Sequence, residues 1–237
     1  MRKVLLLLVV LAGFVSGCEE KYPDPKAMGY AYYPLEIGAY RIYEVTDIKF
    51  RDNVGDTLHF QLQERVDTSF YDQTNTLSYK VVRSTRPDEN SAWVEDSVMV
   101  VWQVENSLLL TKDNSTFVKL VFPVSNGKTW AGDAFNTRAV NKGEKETYAY
   151  TQVGEPYEVN GQVFPITATV IQGTPVKNLV YLDNRKEVYA EGVGRVYRLF
   201  NRVVYCNQTS GSVCEFGADY KLDGHERHEE LISYGKM

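Results

Sequence analysis

Alternation with a period of two recurs along this chain and constrains its fold more than any other feature. In "TLHFQLQERV", Leu58, Phe60 and Leu62 share one side of an extended backbone, with His59, Gln61 and Gln63 on the other. "SVMVVWQVE" puts Val98, Val100, Trp102 and Val104 in phase, and "FPITATVIQ" does the same for Phe164, Ile166, Ala168 and Val170. Further strands are predicted at 40–50, 77–83, 116–122, 146–153, 178–182, 187–190, 195–206, 215–221 and 229–234. No long helical period with caps lies between residues 26 and 237, so helical crossovers between parallel strands are not expected. The fold class is therefore all-β: an antiparallel sheet curved into a half-barrel or barrel, with a β-sandwich as the alternative. The expected core includes Phe60, Leu62, Val100, Trp102, Ile166 and Ala168, because a one-residue slip in any of these strands would turn its apolar set toward water.

Turn chemistry punctuates the strands. Asn160-Gly161 is the dipeptide of a type I′ hairpin, and Asp223-Gly224 is expected to close another. Gly38, Gly127, Gly192 and Gly194 mark strand ends where positive φ or close backbone approach is expected. The segment 86–90, "RPDEN", reads as a loop without a shift in composition, so residues 30–237 are taken as one domain.

Ahead of that domain, Met1-Arg2-Lys3 supplies a positive charge cluster, and 4–15 form an apolar run of secretory length. The run is too short for a bilayer span, which takes about 20 apolar residues. Val15-Ser16-Gly17-Cys18 follows and resembles the bacterial lipobox, in which the cysteine becomes the acylated N-terminus of the mature chain. Residues 1–17 are thus expected to be a signal peptide, with Cys18 carrying lipid and 18–29 acting as lipidated N-terminus and extended spacer. At about 0.8 kcal/mol per buried CH₂, two or three acyl chains make such an anchor effectively permanent. The expected location is extracytoplasmic, lipid-anchored to the cell envelope at the outer membrane. Loss of Arg2 and Lys3 takes the net charge from −5 to −7, and no Lys/Arg-rich block appears, so nucleic acid is not an expected partner.

Motifs for catalysis are scarce. "FPVSNGKT" ends like a phosphate-binding loop, but Phe122 stands where the first glycine is required. "GVGRVY" lacks the third glycine of a dinucleotide fingerprint, Tyr197 occupying that position. "DGHERHEE" gathers Asp223, His225, His228, Glu229 and Glu230, but its spacing matches no zinc motif, and it reads as a solvated charged turn. No catalytic residue, metal ligand or cofactor is assigned. The 17 tyrosines, with Trp93, Trp102 and Trp130, suit pleated half-buried surfaces, and could also stack on sugars or line an apolar pocket. With Cys18 spent on lipid, Cys206 and Cys214 remain as an even pair flanking "NQTSGSV", and a disulfide is expected between them. Asp56-Thr57-Leu58 and Asp96-Ser97-Val98 resemble a three-residue O-glycosylation sequon, making Thr57 and Ser97 candidate glycan sites.

"YYPLEIGAYRIYEV", "LVFPVSNGKTW" and "YAEGVGRVYR" occur in that order and resemble landmarks of uncharacterised Bacteroidetes-type surface and outer-membrane lipoproteins. The resemblance implies an antiparallel half-barrel or barrel similar in outline to periplasmic lipoprotein carriers, and it brings no catalytic residues. Two functions follow as expectations. One is a non-catalytic envelope lipoprotein, a binding or structural component of an outer-membrane or surface assembly, with an envelope protein or glycan as partner. The other is a carrier enclosing an apolar, acyl-like ligand.

The lipid anchor is directly testable. Cys18→Ser is expected to move the protein from the membrane to the soluble fraction, and mass spectrometry of the wild type should show an acylated Cys18 peptide. A soluble, unmodified wild-type protein cleaved elsewhere would contradict the reading.

Overall fold

The computed structural model describes residues 24–104, 106–136, 146–207 and 214–237. The signal segment and Cys18 lie outside the described residues. Among the described residues, thirteen strands form one antiparallel sheet: β1 (Ala39–Arg51), β2 (Val54–Tyr71), β3 (Leu77–Arg86), β4 (Val94–Val104), β5 (Ser107–Lys112), β6 (Ser115–Val121), β7 (Thr129–Ala131), β8 (Thr147–Val159), β9 (Gln162–Gln172), β10 (Val176–Lys177), β11 (Tyr181–Ala190), β12 (Gly194–Cys206) and β13 (Gly217–Lys236). Their spatial order is β6-β5-β4-β3-β2-β1-β13-β12-β11-β9-β8-β7, with β10 beside β11. The first half meanders outward from β1, the second meanders back, and β13 completes the sheet between β1 and β12.

Two-residue turns fix much of this register. Asp52-Asn53, Asp113-Asn114 and Asn160-Gly161 all have positive φ at both positions, the twist-matched geometry of tight hairpins. The free edge of β6 is met by groups around β7 and β8, so the sheet nearly closes into a barrel. Val118 N–H donates to the Gly132 carbonyl at 2.8 Å. Trp130 Nε1 donates to the Val118 carbonyl at 2.8 Å. Tyr150 Oη accepts from Val121 N–H and donates to its carbonyl, both at 3.0 Å. These bonds satisfy an edge that would otherwise template pairing with other chains.

One end is floored by residues 24–33. Asp24 caps a single helical turn, α1 (Pro25–Met28), with Pro25 at the first helical position, where its missing N–H costs nothing. Residues 24–29, expected as extended spacer, therefore fold. Met28, Tyr32 and Tyr33 pack into the main core with Val81, Met99, Val101, Leu120, Phe122, Tyr150, Val170 and Tyr189. Gly192 N–H donates to the Ala31 carbonyl at 2.8 Å, tying the floor to the β11–β12 turn. Gly38, Gly127, Gly192 and Gly194 all have positive φ, as expected. At Gly194 there is a second reason for glycine: a Cβ would lie 2.5 Å from Arg41 Nε.

Several expectations change. Leu62 and Ala168 are fully buried, but on β4 the inward residues are Met99 and Val101, while Val98 is 46% exposed and Val100 and Trp102 are only half-buried. Both faces of β4 are apolar, so alternation could not choose between them; pairing of Met99 with buried Val81 does. Ile166 is 43% exposed. The β8–β9 pairing slips between Thr151 and Tyr157, and Pro165, which lacks an N–H, sits where the regular ladder is interrupted. Asp223-Gly224 makes no turn: both residues lie within β13, which runs unbroken through the segments predicted as two strands. Residues 178–180 separate β10 from β11 instead of forming a strand, and β5 and β7 lie outside the segments expected to be strands.

Inward orientation on β4 has a measurable consequence. Met99→Ala is expected to cost about 2–5 kcal/mol, a large-to-small change in a close-packed core. Val98→Ala should cost well under 1 kcal/mol, as usual for a surface site. Urea unfolding of the Cys18→Ser protein compares them, and equal losses would contradict the assigned face.

Candidate functional site

Residues directly opposite one another in an antiparallel sheet share a face, so the register dictates which side chains line the barrel together. One row reads Val45, Glu229, Arg198, Glu187 and Val170 across β1, β13, β12, β11 and β9. The next, two residues toward the open end, reads Asp47, Arg227, Phe200 and Arg185. A third reads Lys49, His225, Arg202 and Asp183. Charge alternates along strands and across them, so most carboxylates in this wall face cations. The floor row continues it with Arg41, Glu64 and Arg83 across β1, β2 and β3. Met99, Val101, Leu110 and Phe117, on β4 to β6, make the facing side mostly apolar, with Lys112 and Lys119 among them.

Glu229 is the centre of the charged wall and is completely buried. Its Oε1 accepts from Arg198 at 2.9 Å and from Arg227 Nε at 2.7 Å. Its Oε2 faces Arg195 at 2.7 Å, and the same Arg195 nitrogen donates to Glu64 at 2.9 Å. Glu187, also buried, pairs with Lys119, accepts from Tyr189 Oη at 2.6 Å and has Arg195 and Arg198 each at 3.7 Å. Nearer the opening, Arg185 bonds Asp183 and Glu146, and His225 bonds Asp47 at 2.6 Å.

Burial alone would push the Glu187 carboxyl up, but Lys119, Arg195 and Arg198 outweigh it and hold it down at about 2. For Glu229 burial is likewise overcome, by Arg195, Arg198, Arg227 and Arg83, leaving it well below the usual carboxylate range. Burial and then the Glu187 charge keep Tyr189 protonated far above the ordinary phenol range. The carboxylates are thus fixed as anions and the phenol as a neutral donor. Neither carboxyl can serve as a general acid near neutrality.

Three cavities follow the charged wall from the opening inward. The outermost, 920 Å³, is lined by Lys49, Phe50, Tyr181, Phe200, Arg202 and His225 among others. A middle one of 330 Å³ shares Phe200 and Arg202 with it. An inner chamber of 150 Å³ shares Phe117, Lys119, Glu187 and Arg198 with the middle one and reaches Tyr33 at the floor.

The residues nominated from sequence lie elsewhere. Cys206 and Cys214 are joined by a disulfide, with Cα atoms 6.0 Å apart. Thr57 is exposed on β2, whereas Ser97 is half-buried and donates to Asp96 at 2.9 Å. "DGHERHEE" is not a solvated turn but part of β13, and it contributes Glu229, Arg227 and His225 to the interior. Among the described residues no group of three or more His, Cys, Asp and Glu side chains could hold a metal ion. The missed signal was alternation in inverse phase: "DNRKEVY" places Asp183, Arg185, Glu187 and Tyr189 on one face.

Both buried carboxyls have folded pKa values below their unfolded ones, so their stabilisation is complete above about pH 4.5 and is lost progressively in more acid solution, the Glu187 share as pH falls through about 2. Unfolding free energy should drop across that window, and Glu187→Gln should flatten the drop while lowering stability at pH 6. Glu229→Gln is expected to cost about 3–5 kcal/mol at pH 6, because three arginines lose a buried partner. Urea titrations from pH 6 to 2 read both effects. A Glu229→Gln protein as stable as wild type would contradict the network's role.

No family profile and no curated protein matches the chain. Two solved structures are similar to it. One is a protein assigned as exported, with a YmcC-like fold, from Bacteroides fragilis NCTC 9343, at TM-score 0.41 and 13% identity over 86% of this chain and 98% of the other. The second is a protein assigned as a lipoprotein from Parabacteroides distasonis ATCC 8503, at TM-score 0.31 and 11% identity over 85% and 98%.

Proposed function

We propose that the protein is a non-catalytic, lipid-anchored envelope protein that binds a hydrophilic ligand of the saccharide class in the open end of its barrel. The observation that carries the reading is the composition of the outer cavity. Tyr181 and Phe200 supply aromatic rings on the inward face, and Lys49, Arg51, Asp56, Arg202 and His225 stand around them. Sugar rings present apolar C–H faces and a rim of hydroxyls, and aromatic planes bordered by charged hydrogen-bonding groups complement both. At 920 Å³ the cavity has the size of a small-ligand site. The lipobox and secretory segment support the anchor and the extracytoplasmic location.

The interior is poorly suited to an acyl chain. An alkyl tail longer than the mouth would lie against Arg185, Arg198, Glu187 and Lys119, which would lose hydration without gaining a partner. Native mass spectrometry of the Cys18→Ser protein with a panel of bacterial oligosaccharides is expected to show one-to-one complexes. Tyr181→Ala should weaken them about tenfold, or 1.4 kcal/mol. Fluorescent cis-parinaric acid should not bind, and its stoichiometric uptake would replace this reading with the acyl carrier.

A further inference from the structure

The inner chamber differs from the rest of the interior in its charge balance. Arg83, Lys112, Lys119, Arg195 and Arg198 line its 150 Å³ against only Glu64 and Glu187. Glu229, behind the wall, offsets one more cation, which leaves the chamber positive in a protein of net charge −5. The surplus is localised. Lys112 has its carboxylate contact with Asp113 at 3.5 Å, and that aspartate side chain is 80% exposed, where water weakens the attraction. Arg83, whose side chain is only 7% exposed, lies 3.4 Å from Glu64 and 3.8 Å from Asp96, and its Nε makes no hydrogen bond; neither does Arg198 Nε. Burial, and then the neighbouring Arg83 charge, pull the Lys112 ammonium below its ordinary range. Lys119 is lowered by burial despite Glu187, with Arg198 and Arg195 adding repulsion. Like charges crowded beside a void, with donors unspent, are the arrangement an anion would relieve.

We propose that the inner chamber binds an oxyanion, the carboxylate, sulfate or phosphate group of a ligand, between Arg83, Lys112 and Lys119. The proposal rests on the reading of the barrel as a ligand cavity and adds that the ligand is acidic. The chamber has room for one such group with a few waters, taking about 30 Å³ per water. Phe117 and Leu110 on its apolar side exclude bulk water and strengthen the attraction. The rest of the ligand would extend through the middle cavity, past Phe200 and Arg202, toward the mouth.

The probes are sodium sulfate, sodium phosphate and glucuronate, titrated into the Cys18→Ser protein by calorimetry and thermal unfolding at constant ionic strength, with chloride as the control. Saturable binding of at least one probe is expected, with a rise in melting temperature that chloride does not produce. Lys112→Gln, which leaves every Glu64, Glu187 and Glu229 pair in place, is expected to weaken it at least tenfold without lowering the melting temperature of the unliganded protein. Lys119→Met is the second variant, and it should weaken binding similarly if it folds. Equal stabilisation by chloride, no saturable heat with any probe, or unchanged affinity in Lys112→Gln would overturn the proposal. Neutral oligosaccharide binding that persists alongside any of these results would leave the saccharide reading standing and reject only the acidic group. Loss of both would reject the cavity as a ligand site altogether.

Discussion

Arg195 of β12 contacts Glu229 of β13, Glu64 of β2 and, at longer range, Glu187 of β11, and its guanidinium lies over the Tyr43 ring of β1. These partners come from the two halves of the chain and meet only because β13 pairs with β1. Desolvating a guanidinium and three carboxylates is unfavourable by several kcal/mol per ion, and it is offset only when every group keeps its partners. The network therefore does less to raise stability than to forbid alternatives. A β13 shifted by one residue so that His228 and Glu226 take the inward places of Glu229 and Arg227 would strip Arg195 and Arg198 of their nearest carboxylate. A slip in a purely apolar strand loses burial but strands no charge in the interior.

Much of the architecture was legible in the sequence because it is written in local rules. Period-two segments, absent helical periods and Asn160-Gly161 lead to an antiparallel all-β sheet with a tight β8–β9 hairpin. The burial of Leu62 and Ala168 follows from their phase. What failed was the assumption that apolar side means inside. On β4 both faces are apolar, since Trp102 and Val100 are half-covered on the outer surface while Met99 and Val101 enter the core. On β11 and β13 the inner face is charged, and no single strand can reveal that its carboxylates will meet arginines from strands far away in sequence. Glu229 and Arg198 are 31 positions apart, Arg195 and Glu64 131. Pairing information, not propensity, was missing.

The barrel is consequently two-sided within. Its β3–β6 wall is mostly apolar, interrupted by Arg83, Lys112 and Lys119, and is anchored by the N-terminal floor residues Met28, Tyr32 and Tyr33. The opposite wall, on β1 and β11–β13, is a pre-organised polar surface whose side chains already hold one another in place. Arg185, clamped by Asp183 and Glu146, illustrates this, with little rotamer freedom left to lose. A surface so fixed can meet a polar group without first paying to order itself.

The central position of β13 also dictates an order of assembly. Every other long strand can pair with a neighbour close in sequence, as in the β1–β2 and β8–β9 hairpins, whereas β1 must wait for residues 223–236 before its second edge is occupied. A chain emerging vectorially would expose that edge, 13 residues long, through the synthesis and passage of nearly everything between. Contacts of such sequence separation form slowly, and an open strand edge is a template for pairing with another molecule. The topology itself thus leaves that edge open until the last strand arrives.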